Sequence, residues 1–234
     1  MNKKLIFYSL IFIIIFSTLI FQIHGQEGNI SNNINTLTEQ EIKEGWKLLF
    51  DGKTFNGWQM KQTGSWRIEN GTISRVKGGY LWTKERYGDF ILDCEFKISP
   101  KCNSGIFFRT DDTNDPVQTG FEMQVSDSFD KTNIGTHDCG SFYDCLTPRV
   151  NAAKPAGEWN NVVLICKDNL ITIVLNNQLI INMDLNNWTE SNKNPDGTKN
   201  KFKTALKDFA REGHIGFQDH GSPVWYRSIK IKEL

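Results

Sequence analysis

Near the end of the chain an apolar-alternating stretch, His214-Ile215-Gly216-Phe217, runs into Gln218, Asp219 and His220, and then into the turn residues Gly221, Ser222 and Pro223. An amide, a carboxylate and an imidazole at a strand end can move protons and hydrogen-bond a polar ligand, because the sheet holds them while the loop leaves them open. Turns also favour Asp, Gly, Ser and Pro on their own account. The tripeptide means chemistry only if other strands bring it company.

Period-2 alternation supplies candidates. In 120–125, Phe121, Met123 and Val125 point one way and Glu122 and Gln124 the other. In 103–109, Arg109 shares a side with Phe107 and Gly105, and in 214–218 the inward Phe217 leaves Gln218 on the polar side. If these faces are one surface, it carries Arg109, Glu122, Gln124 and Gln218, with Asp219 and His220 nearby. The same residues suit the solvent face of an ordinary antiparallel sheet. Against that, Gly105, Gly120 and Gly216 beside them leave room for a ligand to approach. Arg227 shares parity with the apolar Ile229 and Ile231, so it reads as a rim residue or as one paired inside with Asp219 or Glu122. Trp188 in a polar loop and Tyr143 in a cysteine-flanked loop are the aromatic residues to test first as a sugar-stacking surface.

Strands must position all of these. Runs rich in Val, Ile, Phe, Trp and Tyr fall at 46–50, 65–69, 72–76, 90–98, 105–110, 120–126, 162–167, 170–175, 178–184, 214–218 and 224–231, separated by turn residues such as Asn70-Gly71 and Asn176-Asn177. Many short strands joined by tight turns predict an all-β, antiparallel jelly-roll sandwich with one or two short peripheral helices. One helix is predicted at 38–44 from the capping-box pattern Thr38-Glu39-Gln40-Glu41, and a second at 201–211, where Phe202, Ala205, Leu206 and Phe209 recur at helical spacing.

Lys3 and Lys4, the apolar run 5–23 and then Gly25-Gln26 read as a secretory signal cleaved after Gly25, or a membrane anchor if uncleaved. That divides the chain into a signal peptide at 1–25, a leader with a short helix at 26–43 and one domain at 44–234. The whole chain has 27 basic and 27 acidic residues, and loss of the signal leaves a net charge of about −2 with no charged block. Nucleic acid and anionic membrane surfaces, which select clustered Lys and Arg, are poor candidate partners. All five cysteines lie in the exported part, where disulfides form. Cys94 with Cys102 and Cys139 with Cys145 are the pairs with short loops, and Cys166 reads as a buried thiol in a strand. Cys139, Cys145 and His137 are a conceivable zinc set without the C-x-x-C spacing.

Eight segments, read in order, carry a resemblance: 46–54 (Trp-Lys-Leu-Leu-Phe-Asp-Gly-Lys-Thr), Gly57-Trp58, 66–71, 87–90, 103–109 (Asn-Ser-Gly-Ile-Phe-Phe-Arg), 120–124, 157–160 and the closing 216–221 (Gly-Phe-Gln-Asp-His-Gly). Together they resemble the 3-keto-disaccharide hydrolase family over essentially the whole domain. The resemblance implies a concanavalin A-like jelly roll with a concave binding face, in exported proteins acting on glycosides whose sugar a separate oxidoreductase has oxidised at C3. A C3 ketone makes the C2 proton removable, the enolate expels the C1 substituent, and water adds back. Such a site needs a base near C2, stabilisation of the enolate oxygen and an acid at the leaving oxygen.

By that resemblance Arg109, Glu122, Gln124, Gln218, Asp219, His220 and Arg227 form the site. His220 is the expected general base or acid, with an ordinary pKa near neutrality. Glu122 is the other candidate, Arg109 or Arg227 stabilises the enolate or orients the sugar, and Asp219 orients His220 or anchors an arginine. A divalent ion held by Glu122, Asp219 and His220 would also suit the chemistry. The chain departs from the family pattern at 135–150, where His137 to Cys145 replace a plainer segment, although Tyr143 can still fill its tyrosine position. A rival reading keeps the fold and drops the catalysis: a carbohydrate-binding module whose Arg, Glu and Gln bond sugar hydroxyls.

Overall fold

The computed structural model describes residues 34–234; the expected signal segment and most of the expected leader lie outside the described residues. Two antiparallel sheets account for nearly all the regular structure, so the fold is a jelly-roll sandwich. The strands are β1 (Lys47–Leu48), β2 (Trp58–Met60), β3 (Trp66–Glu69), β4 (Thr72–Arg75), β5 (Leu81–Thr83), β6 (Phe90–Ile98), β7 (Asn103–Thr110), β8 (Phe121–Ser126), β9 (Trp159–Lys167), β10 (Leu170–Leu175), β11 (Gln178–Asp184), β12 (His214–Phe217) and β13 (Val224–Glu233). The eight-stranded sheet runs β11-β10-β9-β6-β13-β4-β3, with β1 also on β13, and the five-stranded sheet runs β2-β5-β12-β7-β8.

Alternation explains why these segments are strands. In β6, Phe90, Leu92, Cys94, Phe96 and Ile98 are all buried, and in β9 Val162, Leu164 and Cys166 repeat the pattern. They meet Ile106, Phe108, Phe121, Met123, Val125, Ile215 and Phe217 from the five-stranded sheet in one core. Phe217 stacks on Tyr226 with ring centres 3.8 Å apart, and so joins β12 to β13 across the sandwich. The strands β2 and β5 are three residues each, too short for periodicity to show them in the sequence.

Helix α1 (Glu39–Lys43) has the expected capping box, with Glu41 N donating to Thr38 Oγ1 and Thr38 N to Glu41 Oε2. The other α-helix among the described residues, α2, is the short Pro116–Thr119. The helix expected at 201–211 is absent: there is one 3-10 turn, Leu206–Asp208, between the extended residues Ala205 and Phe209. Phe202, Ala205, Leu206 and Phe209 are all buried, so the spacing recorded burial and not helix. The Lys201 and Lys203 N–H groups bond Asp144 and Gln118 side chains, and such tertiary partners displace a helical ladder.

Three further expectations change. All five cysteines are buried free thiols, so neither Cys94–Cys102 nor Cys139–Cys145 is a disulfide here. Cys94 belongs to the inward row of β6, and that row already spends it on the core. Trp188 is buried, with its N–H donated to Asn194 Oδ1 at 2.9 Å, and is no stacking platform. His137 bonds Asp144 at 2.8 Å, and no zinc-type cluster with Cys139 and Cys145 forms among the described residues.

Candidate active site on the outer face of the five-stranded sheet

Strands β7 and β8 pair so that Phe107 faces Glu122 and Gly105 faces Gln124, while on the other flank Gly216 of β12 faces both Phe107 and Trp82 of β5. The inward rows of these strands form the core, so these residues line the face turned away from the eight-stranded sheet. Two glycines shape that face. A Cβ on Gly105 would lie 2.0 Å from Glu122 Oε1, and one on Gly216 would lie 2.1 Å from the Trp82 ring. Glu122 and Trp82 therefore lie flat on the sheet, over backbone that carries no side chain.

Gln218 joins them by donating its N–H to the Gly105 carbonyl at 3.0 Å. Gln124 Nε2 donates to Asn103 Oδ1 at 2.7 Å, which fixes the amide. Tyr80, just before β5, packs on Trp82 and Phe107 at 5.7 and 5.8 Å. Burial raises its phenol, the Glu122 carboxylate raises it further, and the Gln218 amide opposes the shift. On the far side the segment 140–146 runs beside the free edge of β8, through Gly140 N to Gln124 O and Tyr143 N to Glu122 O. This cysteine-flanked segment, where the chain departs from the family pattern, places Tyr143 next to Glu122.

Glu122 is the unusual group. It is 4 % exposed, and burial pushes its carboxyl up to about 8, against the opposing pull of the Lys201 ammonium. Three atoms of this face are buried without a hydrogen-bond partner: Glu122 Oε1, Gln218 Oε1 and Trp82 Nε1. Each such atom costs on the order of 1–3 kcal/mol if left unpaired, so water or a polar ligand has to complete this cluster.

The remaining expected residues lie elsewhere. Arg109 is fully buried on the core side, bonding the Gly88 and Asp168 carbonyls and Asp89 Oδ1 at 2.7 to 2.8 Å. The register of β7 against β12 shifts at this point and Arg109 has φ +48°, so a bulge reverses the parity that predicted an outward side chain. Arg227 sits on the outer face of the eight-stranded sheet, with its guanidinium 2.8 Å from Glu95 and 3.9 Å from the centre of the Trp159 ring. Its partner is thus neither Asp219 nor Glu122. A second bulge, at Ser228 with φ +51°, separates its parity from that of Ile229 and Ile231.

Asp219 is spent on an arginine, Arg75 Nε at 2.6 Å, and does not orient His220. His220 is exposed on the following turn. The ion set Glu122, Asp219 and His220 therefore does not form, and no other group of three or more metal-type ligands gathers among the described residues. Tyr80 and Lys201 were missed in the sequence. Tyr80 lies between Gly78-Gly79 and a strand of only three residues, and Lys201 lies far along the chain with no local pattern. A surface hollow of about 340 Å³ within 187–197, lined by Glu190, Lys193 and Asp196 among others, contains none of the sheet-face residues.

Comparison with known proteins follows the same outline. Residues 45–232 match the family described as the 3-keto-alpha-glucoside-1,2-lyase-like domain. A 3-keto-disaccharide hydrolase of Bacteroides thetaiotaomicron is 29 % identical over 229 residues, covering 82 % of this chain and 79 % of that protein. A crystal structure from Parabacteroides distasonis that bears the name glycosyl hydrolase superposes with a TM-score of 0.76 at 31 % identity, covering 81 % of this chain and 99 % of that one. A second from the same organism and under the same name gives 0.71 at 27 %, covering 86 % and 100 %.

Proposed function

Since the chain belongs to the 3-keto-alpha-glucoside-1,2-lyase-like family, we propose that it cleaves 3-keto-glycosides, 3-keto-disaccharides among them, by removing the C2 proton, eliminating the C1 substituent and adding water to the product. The observation that carries this reading is Glu122: a carboxyl buried on a ligand-type face, raised to about 8, with Oε1 free of any protein partner. A base is most effective when its pKa lies near the working pH, and a C2 proton beside a ketone is acidic enough for a carboxylate of that strength. Gln124, Gln218 and Tyr80 supply amide and phenol groups for sugar hydroxyls, and Trp82 and Phe107 form the apolar floor under them. The exposed His220 takes the lesser role, at the loop edge beyond Gln218.

Elimination alone is lyase chemistry and elimination followed by hydration is net hydrolysis, so the family's description and the relative's name both suit this sequence of steps. The C3 ketone has to be made beforehand by an oxidoreductase acting on the sugar. The apolar start of the chain supports export. The binding-module reading loses one of its two stacking candidates, because Trp188 is buried and its N–H is occupied, and keeps the half-buried Tyr143.

The test is direct: purified protein is incubated with a 3-keto-glucoside and with the unoxidised glucoside, and release of the leaving group is followed. Release from the keto substrate alone is expected. Binding of either sugar without any release would overturn the enzyme reading in favour of the module. Glu122→Gln is expected to lower turnover by at least about a hundredfold, and His220→Ala by less than about tenfold.

A further inference from the structure

Tyr143 stands between two groups that a single carboxylate fastens. Lys201 Nζ is 2.7 Å from Tyr143 Oη and 4.2 Å from the centre of its ring, and the His137 ring is centred 4.9 Å away. Asp144 Oδ1 is 2.8 Å from His137 Nε2, and Asp144 Oδ2 accepts the Lys201 N–H at 2.7 Å. The Lys201 carbonyl accepts from Gln118 Nε2 at 3.0 Å, and the next residue, Phe202, is buried. Lys201 is exposed, its backbone is anchored at both polar groups, and its ammonium is held by Tyr143. Asp144 itself has φ +62°, a conformation retained where surrounding contacts over-determine it.

The ammonium has only donors. Tyr143 Oη therefore accepts from Lys201, and its own O–H must point to another acceptor. The bond from Tyr143 N to Glu122 O makes the two residues cross-strand neighbours, so their side chains share the sheet face. Glu122, Lys201, His137, Asp144 and the second phenol, Tyr80, are the charged or titratable groups around this phenol.

We propose that Tyr143, held and polarised by Lys201, is the general acid that protonates the leaving oxygen, opposite Glu122. The inference rests on the function proposed above. The ionised Glu122 takes the C2 proton, and the C–H electron pair becomes the C2=C3 enolate. That pair returns as C3=O re-forms, the C1=C2 bond forms, the C1–O bond breaks, and the departing oxygen takes the Tyr143 proton. The Lys201 ammonium stabilises the phenolate. When water adds at C1 its proton goes to Tyr143, the Glu122 proton returns to C2, and the enzyme is restored.

The experiment compares two 3-keto-glucosides, one with a p-nitrophenolate leaving group that departs without a proton and one with an alkyl leaving group that requires it. Tyr143→Phe keeps the ring against His137, and is expected to lose at least about a hundredfold on the alkyl glycoside and less than about fivefold on the aryl one. Lys201→Met should show the same pattern at about tenfold, and the double variant should be no worse than Tyr143→Phe within about threefold, because residues acting as a unit are not additive. Equal losses on both substrates, or losses that multiply in the double variant, overturn the proposal and leave the general function standing. If the unmodified protein cleaves neither substrate, both fall.

Discussion

The carboxylate of Glu122 lies directly over Gly105, whose missing Cβ would come within 2.0 Å of Oε1 and 2.8 Å of Cδ. That placement presses the acid onto backbone and away from water, which is the physical cause of its raised pKa. Gly105→Ala must therefore push the carboxylate off the sheet. We expect a loss of at least about tenfold in kcat/KM with the strand content unchanged by circular dichroism. Unaltered kinetics would mean that the position of Glu122 over Gly105 is irrelevant to catalysis.

Titration of Glu122 affects activity and stability in opposite directions. As a base it works ionised, so kcat/KM should rise with pH and level off above about 8. Lys201 opposes the upward shift, so Lys201→Met should move this limb to higher pH. For stability, the folded protein holds the Glu122 proton more tightly than the unfolded chain does. Stability from this group is fullest below the ordinary value of 4.5 and is lost as pH rises to about 8. Glu122→Gln should then be more stable than the unmodified protein above pH 8, by on the order of a few kcal/mol and with a higher melting temperature, while turning over far less. Equal melting temperatures at pH 9 would contradict the buried carboxylate.

Thiol chemistry checks the cysteines. Burial pushes Cys102 and Cys166 up to about 12 and Cys139 to about 11, and raises Cys94 and Cys145 as well. Native protein should therefore react negligibly with a thiol reagent at pH 8, and should show five thiols once unfolded in guanidinium without reductant. A count of three or one after unfolding would reveal disulfides.

Arg109 separates structure from catalysis. It bonds two backbone carbonyls and Asp89 and touches no residue of the candidate site. Arg109→Met should cost about 2–4 kcal/mol in urea unfolding, because it leaves buried acceptors unpaired. KM for a 3-keto-glycoside should stay within about threefold, and a large rise in KM with full stability would return Arg109 to the substrate.

Much of the architecture was readable in the chain. The rows Phe90-Leu92-Cys94-Phe96 and Phe121-Met123-Val125 alternate strictly, and α1 begins at a full capping box. Period-2 parity also put Glu122, Gln124 and Gln218 on one type of face, which is where the structure brings them together. Parity failed at Arg109 and Arg227, each at a bulge. A single extra residue in one strand flips every later side chain, and the residue types there carry no turn signal that announces it.

Local pattern thus determined the sandwich, the inward rows and the existence of a polar face, because strand periodicity is a property of neighbours along the chain. Tertiary structure decided which polar residues meet. Asp219 went to Arg75, Arg227 to Glu95 and Lys201 to Tyr143, pairings between segments far apart in sequence whose register no local spacing encodes. It also set the character of Glu122, since desolvation depends on what packs around a carboxyl and not on the residues beside it in the chain.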